Sequence, residues 1–85
     1  MLIKVLAEEV ALNSATNVST ATVVRVYNGN SSNVVITRTD ASDTTIGSLT
    51  LKNGESVVLE KEPTDKLVSS STSTAVKGVK IAFRN

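Results

Sequence analysis

Three short groups of residues in this chain carry side chains that could do chemistry. The first is the bend "TRTDASDTT", where Asp40 and Asp43 stand among Thr39, Ser42 and Thr44. Their hard oxygens could hold a calcium ion, but a calcium loop normally supplies more carboxylates than two. Aspartate in a turn more commonly accepts hydrogen bonds from its own backbone, which is the simpler reading here. The second group is "EKEPTD", with Glu60, Glu62 and Asp65. Paired carboxylates can hydrolyse glycosides. One of the pair must then be perturbed by burial, and the sugar needs a cleft, usually lined by aromatic rings. Tyr27 and Phe83 are the only aromatic residues, so a solvated strand end followed by a turn is the better reading. The third group is "RVY", where Arg25 and Tyr27 share one face of a strand. A cation and a ring together could hold a nucleic-acid backbone and stack a base. Nine Lys or Arg are balanced by eight Asp or Glu, for a net charge of +1. The positive charges are scattered, so a nucleic-acid footprint is not expected. An exposed strand face or a protein contact fits the pair better.

What is missing narrows the function further. Without histidine there is no Ser-His-Asp set and no common imidazole ligand. Without cysteine there is no disulfide and no thiolate metal site. Gly29, Gly47, Gly54 and Gly78 are isolated, so no phosphate-cradling loop is present. The expectation is a non-enzyme with no cofactor, no metal, no nucleic-acid partner and no membrane partner. The opening "MLIKVLAEEVAL" is too short for a membrane span and is broken by Lys4. It lacks the basic start and longer apolar centre of a signal peptide. It reads as an N-terminal strand of a chain made in the cytoplasm.

The elements that must position these groups are strands. In "VKIAFR" the apolar Val79, Ile81 and Phe83 alternate with Lys80, Ala82 and Arg84, which is the period of a half-buried strand. "ESVVLEK" turns Val57 and Leu59 inward and leaves Val58 partly covered. "TIGSLTL" aligns Leu49 and Leu51 with Gly47, a glycine that suggests a bulge or a close crossing. The full reading places strands at 2–6, 9–12, 22–28, 34–39, 45–51, 56–61, 66–70 and 76–84. "VLAEEVAL" also allows a short helix through Val5, Glu8, Glu9 and Leu12. Val23 to Thr39 reads as a hairpin that buries Val24 and Val26 with Val34 and Ile36. Asn53-Gly54 reads as a type I′ hairpin turn. The Ser/Thr-rich "NSATNVSTAT" and "VSSSTSTA" read as polar surface and connection. With 85 residues the chain makes one domain with a thin aliphatic core. The expected fold is all-β, an antiparallel two-sheet β-sandwich or flattened barrel of seven or eight short strands.

The phrases "SATNVSTATVVRVYN", "TTIGSLTL", "GESVVLEKEPTDKL" and "VKIAFRN" resemble small β-rich virion structural proteins of marine tailed phages, especially cyanophages. The resemblance covers nearly the whole chain and rests on strand pattern and short phrases, not on catalytic motifs. It implies a capsid decoration (cement) protein on the capsid surface of the virion, made in the host cytoplasm. Its partner would be the major capsid protein or another virion protein, with homo-oligomer formation possible. The alternative is a receptor- or carbohydrate-binding module of a phage tail or head fibre, for which Tyr27 is the one stacking candidate. The expected mechanism is a clamp in which the first strand pairs with a neighbouring chain and Lys4 guards against random pairing. The candidate partner-binding residues are Leu2, Ile3, Val5, Arg25, Tyr27 and Arg84. The competing expectation is that Leu2, Ile3 and Val5 fill the domain's own core.

Overall fold

The computed structural model describes residues 2–84, with the side chain of Arg84 outside the description. Eight strands run in order: β1 (Leu2–Val5), β2 (Val10–Ala11), β3 (Val23–Asn28), β4 (Val34–Thr39), β5 (Thr45–Leu51), β6 (Ser56–Glu60), β7 (Lys66–Ser69) and β8 (Val76–Arg84). No described residue is helical. The stretch open to a helical reading is instead β1, a short irregular connection and β2. The strands form two antiparallel sheets, as a two-sheet sandwich requires. One has five strands, in the order β1-β8-β3-β6 with β2 also on β8. The other has three, in the order β5-β4-β7.

The strand limits follow the alternation of the sequence closely, but the connections do not. Val23–Thr39 is not a hairpin, because β3 and β4 lie in different sheets. Val24, Val26, Val34 and Ile36 are all buried, and they meet across the sandwich as parts of one core cluster. The connection is an arch held by Asn28. This side chain is fully buried; its Nδ2 donates to the carbonyls of Ser32 and Leu51, each at 3.0 Å. Its Oδ1 accepts from the backbone N–H of Asn30 at 2.8 Å. Its own backbone pairs with Glu55 and Gly54. One asparagine thus ties the β3–β4 arch to the β5–β6 turn and leaves none of its polar groups unpaired.

The Asn53-Gly54 turn is corrected in the same way. It joins β5 to β6, which belong to different sheets. Only Gly54 takes a positive φ, at 78°. Glu55 N–H closes the turn on the Lys52 carbonyl. That is the type II pattern, whereas type I′ needs both central residues at positive φ. The tight hairpin lies at Asp40–Thr44, between β4 and β5. There the pairing slips as Arg38 opposes Gly47 and Thr39 opposes Thr45, so Ile46 is the bulged residue beside Gly47.

The polar segment between β2 and β3 contributes more than surface. Leu12, Val18 and Ala21 are core residues. Thr16 exchanges two backbone hydrogen bonds with Leu67, and Ser69 N–H donates to Leu12, so this segment covers the edge of β7. Val18, Ser19 and Thr20 reach it through three successive positive φ angles of 53°, 58° and 55°. Left-handed backbone costs non-glycine residues about 1–2 kcal/mol each. Burial of Val18 and the bond from Thr20 N–H to Asn17 Oδ1 hold the turn in place. The serine-rich connection before β8 is also ordered. Ser69, Ser71 and Ser73 each accept, through Oγ, the N–H two residues ahead.

Candidate functional site

The three groups with chemical potential resolve differently. Asp40 Oδ1 accepts the N–H groups of Ser42 and Thr44, at 2.8 and 3.0 Å. Asp43 pairs with Lys66 at 3.0 Å. The bend is therefore a self-capped hairpin loop. Among the described residues no cluster of three acidic side chains is placed to hold a metal ion.

"EKEPTD" departs from the solvated strand end expected for it. Asp65 and Lys61 are buried. Asp65 Oδ2 accepts from Arg38 Nη2 at 2.6 Å, Arg38 Nε at 2.8 Å and the N–H of Glu62 at 3.1 Å. Lys61 Nζ donates to the carbonyls of Ala21 and Glu62 at 2.6 and 3.1 Å, with Pro63 at 3.5 Å. The Arg38 hydrogen bond holds the Asp65 carboxyl below its ordinary range, and this outweighs burial, which pushes it up. Burial lowers the Lys61 ammonium, with Asp65 opposing and Arg38 adding to the shift. The acids are not a catalytic pair: Glu60 and Glu62 are exposed, and Asp65 is committed to Arg38. These side chains lock the β6–β7 crossover to β4. No sequence signal pointed to burial, because isolated lysine and aspartate default to solvent.

Arg25 and Tyr27 do share a face, with the guanidinium 5.9 Å from the ring centre. They lie on β3, between β8 and β6. Arg25 stands opposite Val79 on one side and Val58 on the other. The face they occupy is the outer face of the five-stranded sheet. The residue pairs carry it across to β1, through Ile81 beside Val5 and Phe83 beside Ile3. It carries a group of exposed apolar side chains, Ile3, Val5, Tyr27, Val58 and Phe83, with Ser56 and Lys77 beside Tyr27 and Glu60 beside Val23. Val79 and Ile81 are buried on this side, outside the main core cluster. Alternation in "VKIAFR" correctly put Val79, Ile81 and Phe83 together. The core, however, takes the opposite face of β8, through Val76 and Gly78; a Cβ on Gly78 would stand 3.3 Å from Leu12 and Val24.

β1 lies at the edge of this sheet. Leu2, Ile3 and Val5 are 66%, 47% and 62% exposed, so they do not fill the core. β8 pairs with β3 only as far as Lys80, and with β1 from Ile81 to Arg84. β1 and the end of β8 thus form a two-stranded arm beyond the sandwich, with Ile3, Val5 and Phe83 on one face and Leu2, Lys4 and Leu6 on the other. At its base a groove of about 490 Å³ is lined by Ile3, Val5, Ala7, Glu8, Glu9, Arg25 and Val79.

No family model, curated protein or solved structure matches this chain. The site rests on its own geometry. Of the candidate residues, Ile3, Val5, Arg25 and Tyr27 come together on one face. Leu2 lies on the arm's other face, and the Arg84 side chain falls outside the described residues. Sequence reasoning left out Val58 and Phe83. The signal was there for Phe83, in its alternation with Val79 and Ile81. For Val58 it was the run "SVVLE", which leaves one valine facing away from the core.

Proposed function

We propose that this chain is a virion structural protein, a capsid decoration module that docks on a protein lattice through the outer face of its five-stranded sheet. The observation that carries the proposal is the exposed apolar surface formed by Ile3, Val5, Tyr27, Val58 and Phe83. A patch of this kind marks an interaction surface, and a two-stranded arm is only marginally stable without a covering partner. The resemblance to small phage virion proteins supplies the partner class, a major capsid protein or another virion protein. Docking also adds stability to a thin-cored domain by mass action, and repetition over a lattice turns weak contacts into firm attachment. The sugar-binding alternative is less well served, because Arg25 lies over the ring of Tyr27, the ring that would stack on a sugar.

The test is location. Mass spectrometry of purified particles, followed by cryo-electron microscopy, is expected to find the chain in many copies on the capsid surface. Its presence only in tails, or only in the infected-cell extract, overturns the proposal.

A further inference from the structure

We infer that the free edge of β1 takes up an extended segment of another protein that alternates apolar and acidic residues, adding it as a further strand. This rests on the docking reading and names the partner's chemistry at one border of the docking face. Leu6 N–H donates to the Lys80 carbonyl at 2.9 Å, so the even-numbered residues of β1 turn their backbone groups toward β8. By the alternation of an antiparallel ladder, the N–H and C=O of Ile3 and Val5 then point to the open side. Among the described residues no strand pairs with that side. It offers two donors and two acceptors, spaced for β-strand addition.

The side chains state what the incoming strand must carry. On one face of the arm Ile3, Val5 and Phe83 present only carbon. On the other, Lys4 sits between Leu2 and Leu6, with Ala82 opposite it and Lys80 diagonal to it. Among the described residues no carboxylate lies within salt-bridge distance of Lys4 or Lys80. The nearby Glu8 and Glu9 line the groove on the Ile3 and Val5 side. An added strand therefore matches when its apolar residues fall beside Ile3 and Val5 and its carboxylates fall beside Lys4.

A second copy of this chain is the poorer occupant. The symmetric register that uses all four free backbone groups sets Ile3 against Val5 of the second copy. It also places Lys4 directly opposite the same lysine of that copy. Like charges facing each other across strands are destabilising. Lys4 thus blocks self-pairing and selects an acidic partner with one side chain.

A short capped peptide alternating valine and glutamate is the probe, with a valine–lysine peptide as its counterpart. Isotope-labelled protein is titrated with each at low salt, and amide exchange is followed by nuclear magnetic resonance. The glutamate peptide is expected to protect the amides of Ile3 and Val5 and to bind about tenfold tighter than the lysine peptide. Lys4→Glu, at an exposed position that leaves the fold intact, is expected to reverse the preference. Absence of protection at Ile3 and Val5, or an unchanged preference in Lys4→Glu, overturns the inference. So does concentration-dependent protection of these amides without peptide, which assigns the edge to a second copy. None of these results bears on particle docking through Val58 and Phe83, so the two readings fail separately.

Discussion

The two sheets turn different surfaces to solvent. The outer face of the three-stranded sheet carries Thr37, Ser48 and Thr50, with Val35 and Val68 as its apolar residues. The outer face of the five-stranded sheet carries Ile3, Val5, Tyr27, Val58, Val79, Ile81 and Phe83 around Arg25, with Ser56, Glu60 and Lys77 as its other polar residues. Both sheets cover the same core, so the core does not explain the difference. The first face is what an antiparallel sheet facing water normally presents. The second has large apolar side chains on both sides, as a sheet does when something else packs on it. The lesson is that the domain is asymmetric: one sheet closes the fold and the other both closes it and offers a surface.

Substitutions sharpen this contrast, beginning with the interior that the two sheets share. Ile36→Ala removes a buried side chain from the middle of the sandwich and is expected to cost about 2–5 kcal/mol in denaturant unfolding. In a domain this small that is a large part of the total stability. Asn28→Ala leaves the carbonyls of Ser32 and Leu51 without their side-chain donor and is expected to cost about 2–4 kcal/mol. Loss of cooperative unfolding in either variant agrees with the account. An unchanged midpoint contradicts the crossing of the two sheets at β3 and β4.

Smaller effects follow at the margins. Ser19→Gly relieves one of three left-handed residues and is expected to raise stability by about 1 kcal/mol, read as a higher thermal midpoint. The Asp65 carboxyl has a lower pKa in the folded chain than in the unfolded one. Between the two values the unfolded chain binds more protons, so stability is full above the ordinary carboxylate range and falls as pH drops through the folded value. Arg38→Gln removes the main cause of the shift. Its stability is expected to be lower than that of the parent chain at neutral pH and to fall less as pH drops through the carboxylate range, as measured by unfolding at stepped pH. The smallest effect is expected on the outer face itself. Val58→Thr changes the stability of the isolated domain by less than about 0.5 kcal/mol, because its side chain is not part of the core.

Much of the fold was legible because strand period depends only on neighbours in sequence. β4 and β5 begin and end where the alternation does, and Gly47 marked its bulge. Partner choice was not legible. Hydrophobic alternation in Val23–Asn28 and Val34–Thr39 is the same whether the two strands share a sheet or face each other across a core. Asn53-Gly54 similarly signals a turn without saying which sheet the chain enters next. The left-handed turn at Val18–Thr20 was hidden for the opposite reason, since β-branched residues are among the least expected at positive φ. In the candidate site, alternation grouped Phe83 with Val79 and Ile81 but could not say which face of β8 meets the core. Lys61 and Asp65 were invisible because their burial depends on Arg38 and on the Ala21 carbonyl, both distant in sequence.

The central claim is that the five-stranded sheet's outer face is the docking surface and the three-stranded sheet's is not. Co-sedimentation with particles from which the chain has been stripped compares two double variants directly, Val58→Thr with Phe83→Ser and Val35→Thr with Val68→Thr. The account predicts that the first remains folded and no longer sediments with particles, while the second binds as the parent chain does. Undiminished binding by the first, or loss confined to the second, would contradict it.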